Sequence, residues 1–110
     1  MTYVPERGDV VWLNFQPQAG SEQSGRRPAI VLSPKKYNQR TQLMICCPIS
    51  SQIKGYPFEI PFQLHGQPSV ILSDHVKSLD WHARQASYVS TIDPDTLQRC
   101  IDRLSLLIQG

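Results

Sequence analysis

Apolar and polar positions alternate along most of this chain, then change period near its end. "GDVVWLNF" (8–15) follows a Gly-Asp turn and is rich in β-branched and aromatic residues, which predicts a strand. Its alternation puts Val11, Leu13 and Phe15 on one face and Val10 and Trp12 on the other. "AIVLS" (29–33) and "LMICCPI" (43–49) are continuous apolar runs that read as buried strands. "PFEIPF" (57–62) alternates, and Pro57 and Pro61 suit it to a sheet edge. "SVILSDHVKSL" (69–79) reads as one long strand, apolar first and polar later, and "RQASYVSTI" (84–92) as another. The connections are "QPQAGSEQSGRRP" (16–28), the turn-like "PKKYNQRTQ" (34–42) with room for a short helical turn, and "SSQIKGY" (50–56). The first has about a dozen residues, a length that in compact domains often carries function.

At residue 93 the period becomes helical. Asp93 suits the N-cap, Pro94 the first helical position and Asp95 the first turn. Leu97, Cys100, Ile101, Leu104, Leu107 and Ile108 form an apolar stripe, with Gln98, Arg99, Asp102 and Arg103 outward and Gly110 closing the helix. The fold class is therefore α+β and mainly β: a small β-barrel with a C-terminal helix packed on the sheet.

Size and charge narrow the function. A chain of 110 residues is the size of one domain, spanning 1–110. No apolar run reaches about 18 residues, so no membrane partner is expected. "MTYVPERGDV" lacks the apolar segment of an export signal, and three cysteines without a CxxC suit a reducing cytoplasm. The net charge of +2 is no polycation, but its distribution is uneven. Residues 1–55 hold seven Lys/Arg against three acids, and residues 56–110 hold four against six. The first half can present a modestly basic face to a polyanion.

No metal site is expected, because His65, His75 and His82 do not have zinc-ligand spacing and no cysteine lies near enough in sequence to help. No phosphate-binding loop of the GxxxxGK[ST] type and no GxSxG occur. What remains is a set of weak candidates. Arg27 precedes Pro28, so its backbone is extended, and its guanidinium forms a planar fork matched to phosphate oxygens. Glu22 is the one carboxylate of its loop. Ser50 and Ser51 stand at a strand end, where hydroxyls can donate to phosphate, and Lys54 adds charge beside Gly55. Asp74 and Lys77, in "SDHVKS", can reach a site rim. Each also has an ordinary reading as a surface or turn residue.

Taken together, "GDVVWLNFQPQAGSEQSGRRPAIVLSP", "CCPISSQIKGYPFE" and "DHVKSLDWHAR" resemble, in order and spacing, the MazF/PemK family of toxin endoribonucleases, and are most similar to its MazF branch. The resemblance runs from Gly8 to the C-terminal helix. It implies a small SH3-like, CcdB-like barrel, a homodimer, and an antitoxin as protein partner. It implies cleavage of single-stranded RNA without a metal or other cofactor, leaving a 2′,3′-cyclic phosphate and a 5′-hydroxyl. It places the catalytic Arg on Arg27 and the acid–base Glu on Glu22. The usual catalytic Thr falls on Ser50, which keeps the hydroxyl and drops a methyl. Ser51, Gln52, Lys54 and Lys77 are then RNA contacts, with Trp12, Tyr37, Tyr56 and Trp81 as stacking candidates or packing residues. Whether Glu22 or Arg27 moves the proton stays open. Two rivals are a CcdB-like topoisomerase poison, whose C-terminal Trp is missing from "LSLLIQG", and a non-catalytic SH3-like binding module.

Overall fold

The computed structural model describes residues 3–15 and 25–110. The elements are β1 (Asp9–Asn14), β2 (Arg26–Val31), α1 (Lys35–Thr41), β3 (Leu43–Ser50), β4 (Glu59–Leu64), β5 (Gln67–Leu72), β6 (Lys77–Asp80), β7 (Ser87–Thr91) and α2 (Pro94–Gln109). The strands form one sheet in the order β4-β5-β3-β2-β1-β7, with β6 also paired to β3. The result is a half-barrel, mainly β, with a C-terminal helix, as the sequence pattern predicts.

β3 is the hub. One edge pairs with β2, from Val31↔Cys46 to Ala29↔Pro48. Its other edge serves two partners in succession. Leu43 to Cys46 pair with β6, and Ile49 and Ser50 pair with β5. This corrects the expectation of one strand over 69–79. The chain leaves β5 at Leu72, turns, and re-enters the sheet at Lys77 beside the near end of the same strand. The break is fixed by hydrogen bonds. The amide and hydroxyl of buried Ser73 both donate to the Phe58 carbonyl, at 3.1 and 2.5 Å, and His75 N–H donates to Leu72 O at 3.0 Å.

The continuous apolar runs of β2 and β3 are explained by apolar packing on both faces. On one face Val10, Ile30, Cys47, Ile49, Ile60 and Ile71 are buried together with Cys100 of α2. On the other, Val11, Leu13, Phe15, Ala29, Met44 and Cys46 pack with Trp81. The two faces read from β1 are therefore correct, but each has its own core and Trp12 stands exposed. β4 lies at the sheet edge, as its prolines suggest, and joins β5 through His65 and Gly66, whose φ values of 51° and 77° suit a tight primed hairpin turn. α1 realises the short helical turn and is anchored by fully buried Asn38. The Asn38 amide donates to the carbonyls of Pro5 and Ser33 and accepts from the Ser33 hydroxyl, while its backbone carbonyl accepts from the Trp81 indole at 2.8 Å.

α2 begins where the sequence places it. Asp93 caps it by accepting from Thr96 N–H at 2.9 Å, with Pro94 in the first turn. Leu97, Cys100, Ile101 and Leu104 dock on the sheet. Leu107 and Ile108 do not, which corrects the expected full-length stripe: they are 50% and 74% exposed.

The Asp93 carboxyl is held below its ordinary range, first by the backbone hydrogen bond from Thr96 and then by the Thr96 hydroxyl. A depressed folded-state value means that the stabilisation is complete above the ordinary carboxylate range and fades as pH falls through the lower folded value. Asp93→Ala is expected to cost about 1 kcal/mol at neutral pH, lowering Tm by about 4–8 °C. Melting curves from pH 7 downward should show the gap to wild type narrowing in acid; a gap that does not change with pH would refute the assignment.

Candidate nucleic-acid interface

The site is built where β2 and β3 part. Their pairing stops at Ala29↔Pro48. Pro28 lacks a backbone N–H, so β2 has no donor to offer β3 beyond Ala29, while Pro48 occupies a position whose nitrogen faces away from β2. Beyond it β2 continues on β1 alone, with Leu13↔Arg27 and Asn14↔Arg26, while β3 continues toward β5. The expected loop 16–28 is thus shorter than it reads, because Arg26, Arg27 and Pro28 are already strand.

Between the diverging strands lies a cleft of about 500 Å³. Arg26, Arg27 and Pro28 form one wall, Ile49 and Ser51 the other, with Trp12 beside them and Gln67 and Ser69 of β5 across. Arg27 is half-buried there. Arg26 has a different job. Its guanidinium donates to the carbonyl of Gln85 at 2.7 Å and reaches Arg84 O and the Ser87 hydroxyl at 3.5 and 3.3 Å. It ties the start of β2 to the turn before β7.

On the other side of the β3 end is a second, smaller pocket of about 240 Å³, lined by Ser50, Gln52, Lys54, Tyr56, Glu59 and His75. Alternation along the strand separates the two serines: Ser51 faces the cleft of Arg27, and Ser50 faces this pocket. The Ser50 oxygen accepts from Gln52 N–H at 3.0 Å, which leaves its own proton to donate elsewhere. Tyr56 donates to Asp74 at 3.0 Å. Partial burial, then that bond, push the Tyr56 hydroxyl up to about 12, so it stays a donor at working pH.

Lys77 lines neither cavity. It is half-buried on β6 opposite Cys46, four residues before Ser50 on β3, about 13 Å along the strand. Glu22 lies outside the described residues. Of the four stacking candidates, Trp12 and Tyr56 line the two cavities, Tyr37 borders a separate apolar groove with Ile45 and Ile101, and Trp81 is core.

Sequence reasoning missed Glu59. It is 7% exposed, yet its carboxylate accepts from Lys54 N–H at 3.1–3.2 Å and from Gly55 N–H at 2.7 Å. The signal was an acid set among apolar residues in "PFEIPF", a few positions after a glycine. Among the described residues no cluster of three or more His, Cys, Asp or Glu could hold a metal ion, and no helix is long and apolar enough to cross a membrane.

Comparison with known structures first defines the class. The fold superposes on crystalline MazF from Deinococcus radiodurans with a TM-score of 0.94 and 49% identity, covering 99% of this chain and 100% of that one. It matches a MazE-MazF complex from the same organism at 0.86, with 44% identity and 98% of each chain covered. In sequence the chain is 45% identical over 106 residues to the endoribonuclease toxin MazF of Escherichia coli K12, 96% of each. The family model for the PemK-like, MazF-like toxin of type II toxin-antitoxin systems matches residues 6–108. The chain belongs to this family.

The cysteines are not candidates for a nucleophile. Burial pushes the Cys46 thiol up to about 12. A hydrogen bond with Cys100, then burial, push Cys47 well above the ordinary thiol range. All three are buried. Native protein is expected to resist a thiol-specific reagent, and protein unfolded in guanidinium to titrate three thiols. Rapid labelling of any cysteine in the native state would contradict this packing.

Proposed function

We propose that this chain is the toxin of a type II toxin–antitoxin pair and acts as an endoribonuclease on single-stranded RNA, inhibiting translation and growth. The observation that carries the reading is the placing of half-buried Arg27 on the wall of an open cleft at the parting of β2 and β3. Family membership and the relatives named as endoribonucleases support it.

The RNA 2′-hydroxyl is the nucleophile. Its oxygen attacks the adjacent phosphorus, the bond to the 5′-oxygen breaks, and a 2′,3′-cyclic phosphate and a 5′-hydroxyl result. The protein has three tasks: to take the 2′ proton, to return a proton to the leaving oxygen, and to stabilise charge on the phosphoryl oxygens. Arg27 serves the last, because a guanidinium fork matches two phosphate oxygens and supplies the charge that a metal supplies in other nucleases. Ser50 donates a hydrogen bond to a phosphoryl oxygen, keeping its own proton. Glu22 is the assigned proton acceptor, with Arg27 the competing one. Ser51, Gln52 and Lys54 hold the RNA along the two cavities, Lys77 contacts it further out, and Trp12 and Tyr56 offer rings for bases. No cofactor enters the scheme.

A second copy of the chain and an antitoxin are the proposed protein partners, in the cytoplasm. Leu106, Leu107 and Ile108 offer exposed apolar surface at the end of α2. The basic bias of residues 1–55 suits an acidic antitoxin segment laid over the RNA site. No observation favours the topoisomerase-poison or binding-module alternatives.

Purified protein is expected to cut single-stranded RNA in excess EDTA, and Arg27→Ala to lower the rate at least about 100-fold, a few kcal/mol of barrier. Ser50→Ala should be severely impaired and Ser50→Thr active, with Ser51→Ala the milder change. Near-wild-type cleavage by Arg27→Ala, or equal rates for the two Ser50 variants, would sink the assignment. Expression alone should arrest growth, and co-expression of the neighbouring small reading frame should relieve the arrest; growth unaffected by the toxin would refute the cellular role.

A further inference from the structure

Glu59 is a buried acid that the proposed chemistry does not use. It opens β4, pairs with Leu72 of β5, and lines the pocket that holds Ser50, Gln52 and Lys54. The residue is 7% exposed. Its carboxylate turns back on the preceding loop and accepts two consecutive backbone amides, Lys54 N–H through both oxygens and Gly55 N–H through one. Its own N–H donates to Tyr56 O at 3.1 Å, closing the turn from the other direction. Gly55 has φ +84°, a conformation open to glycine, and an added Cβ would meet no neighbouring atom, so backbone conformation rather than packing selects glycine here.

The segment between Ser50 and Glu59 contains no regular secondary structure of its own. It is held at one end by the Ser50 oxygen on Gln52 N–H and at the other by Glu59. The exposed residues Ser51, Gln52 and Lys54 lie between these two anchors. We infer that Glu59 is a positioning residue that fixes the 51–55 loop so that Ser51, Gln52 and Lys54 meet the RNA in one arrangement. It acts through the loop and touches no reacting atom, so its effect falls on substrate binding. The inference rests on the RNA-cleaving reading for what the loop serves, but not for how the loop is held.

The test compares wild type, Glu59→Ala and Glu59→Gln on a single-stranded RNA oligonucleotide and, without RNA, by amide hydrogen exchange. Glu59→Ala is expected to speed exchange at Lys54 and Gly55 at least about tenfold, the loss of hydrogen bonds to a carboxylate. KM should rise by about tenfold with kcat within about threefold, the pattern of lost binding. Glu59→Gln keeps the size and one acceptor oxygen, and so should fold and recover part of the KM. Unchanged exchange at both amides would overturn the inference, as would a fall in kcat at constant KM. If exchange responds as expected but wild type cuts no RNA, the hold on the loop stands and the assignment of the loop to RNA falls, which separates this failure from that of the ribonuclease reading.

Discussion

The structure depends on a ladder that is allowed to fail at one place. Pro28 sits where β2 and β3 part, at the first position past their last pair. A sheet interior normally excludes proline, because each one removes a donor from the ladder. Here the loss is confined to the point where the two strands separate, so few unpaired groups are left inside the sheet. The separation leaves Arg27 on β2 and Ser51 just past the end of β3, with a cleft between them. The same departure lets the end of β3 turn toward β5. The cleft therefore opens at the point where this ladder ends.

The serving of two strands by one edge of β3 follows from this. β6 takes the near part of that edge and β5 the far part, so the connection between them must cross a gap without breaking the core. Ser73 makes the crossing by placing both of its donors on Phe58 O. Phe58 adjoins Glu59, and Glu59 holds the loop beside Ser50. The turn that joins β5 to β6 and the loop that lines the smaller pocket are thus braced against each other. Side chains at that pocket inherit the rigidity of the sheet, which is what precise contacts need on a chain whose net charge of +2 supplies little general attraction for a polyanion.

Much of this was legible in the sequence, for identifiable reasons. Local chemistry places α2: the Asp93 cap, Pro94 and the spacing of Leu97, Cys100, Ile101 and Leu104 act within a few residues. Apolar runs reveal β2 and β3 as buried because burial on two faces leaves no polar alternation. Prolines mark β4 as an edge. What could not be read depends on distant parts of the chain. "SVILSDHVKSL" has the composition of one strand, and only the double pairing of β3 divides it. Leu107 and Ile108 continue a helical stripe past the area of sheet available to cover it. The two adjacent serines read as one hydroxyl-bearing strand end, and alternation assigns them to different cavities once the end of β3 is known. Glu59 was overlooked because its partners are backbone amides, which every residue but proline carries and no pattern displays.

The C-terminal helix also helps to hold the site. Its inner face completes one core through Cys100, but its outer residues also reach back. Arg103 donates to the Pro57 carbonyl, in the segment that Glu59 closes, and Arg99 lies 3.4 Å from Pro61 O on β4. The exposed ion pair of Arg99 with Asp95 adds little by itself. The Arg103 bond has more consequence, because it joins the helix to the strand-free segment that follows the 51–55 loop. The helix thus covers the sheet, supports its β4 edge and fixes the far end of that segment. Past Arg103 the helix runs into exposed Leu106, Leu107 and Ile108. A protein docking on those residues would therefore bear on the same helix that steadies the smaller pocket.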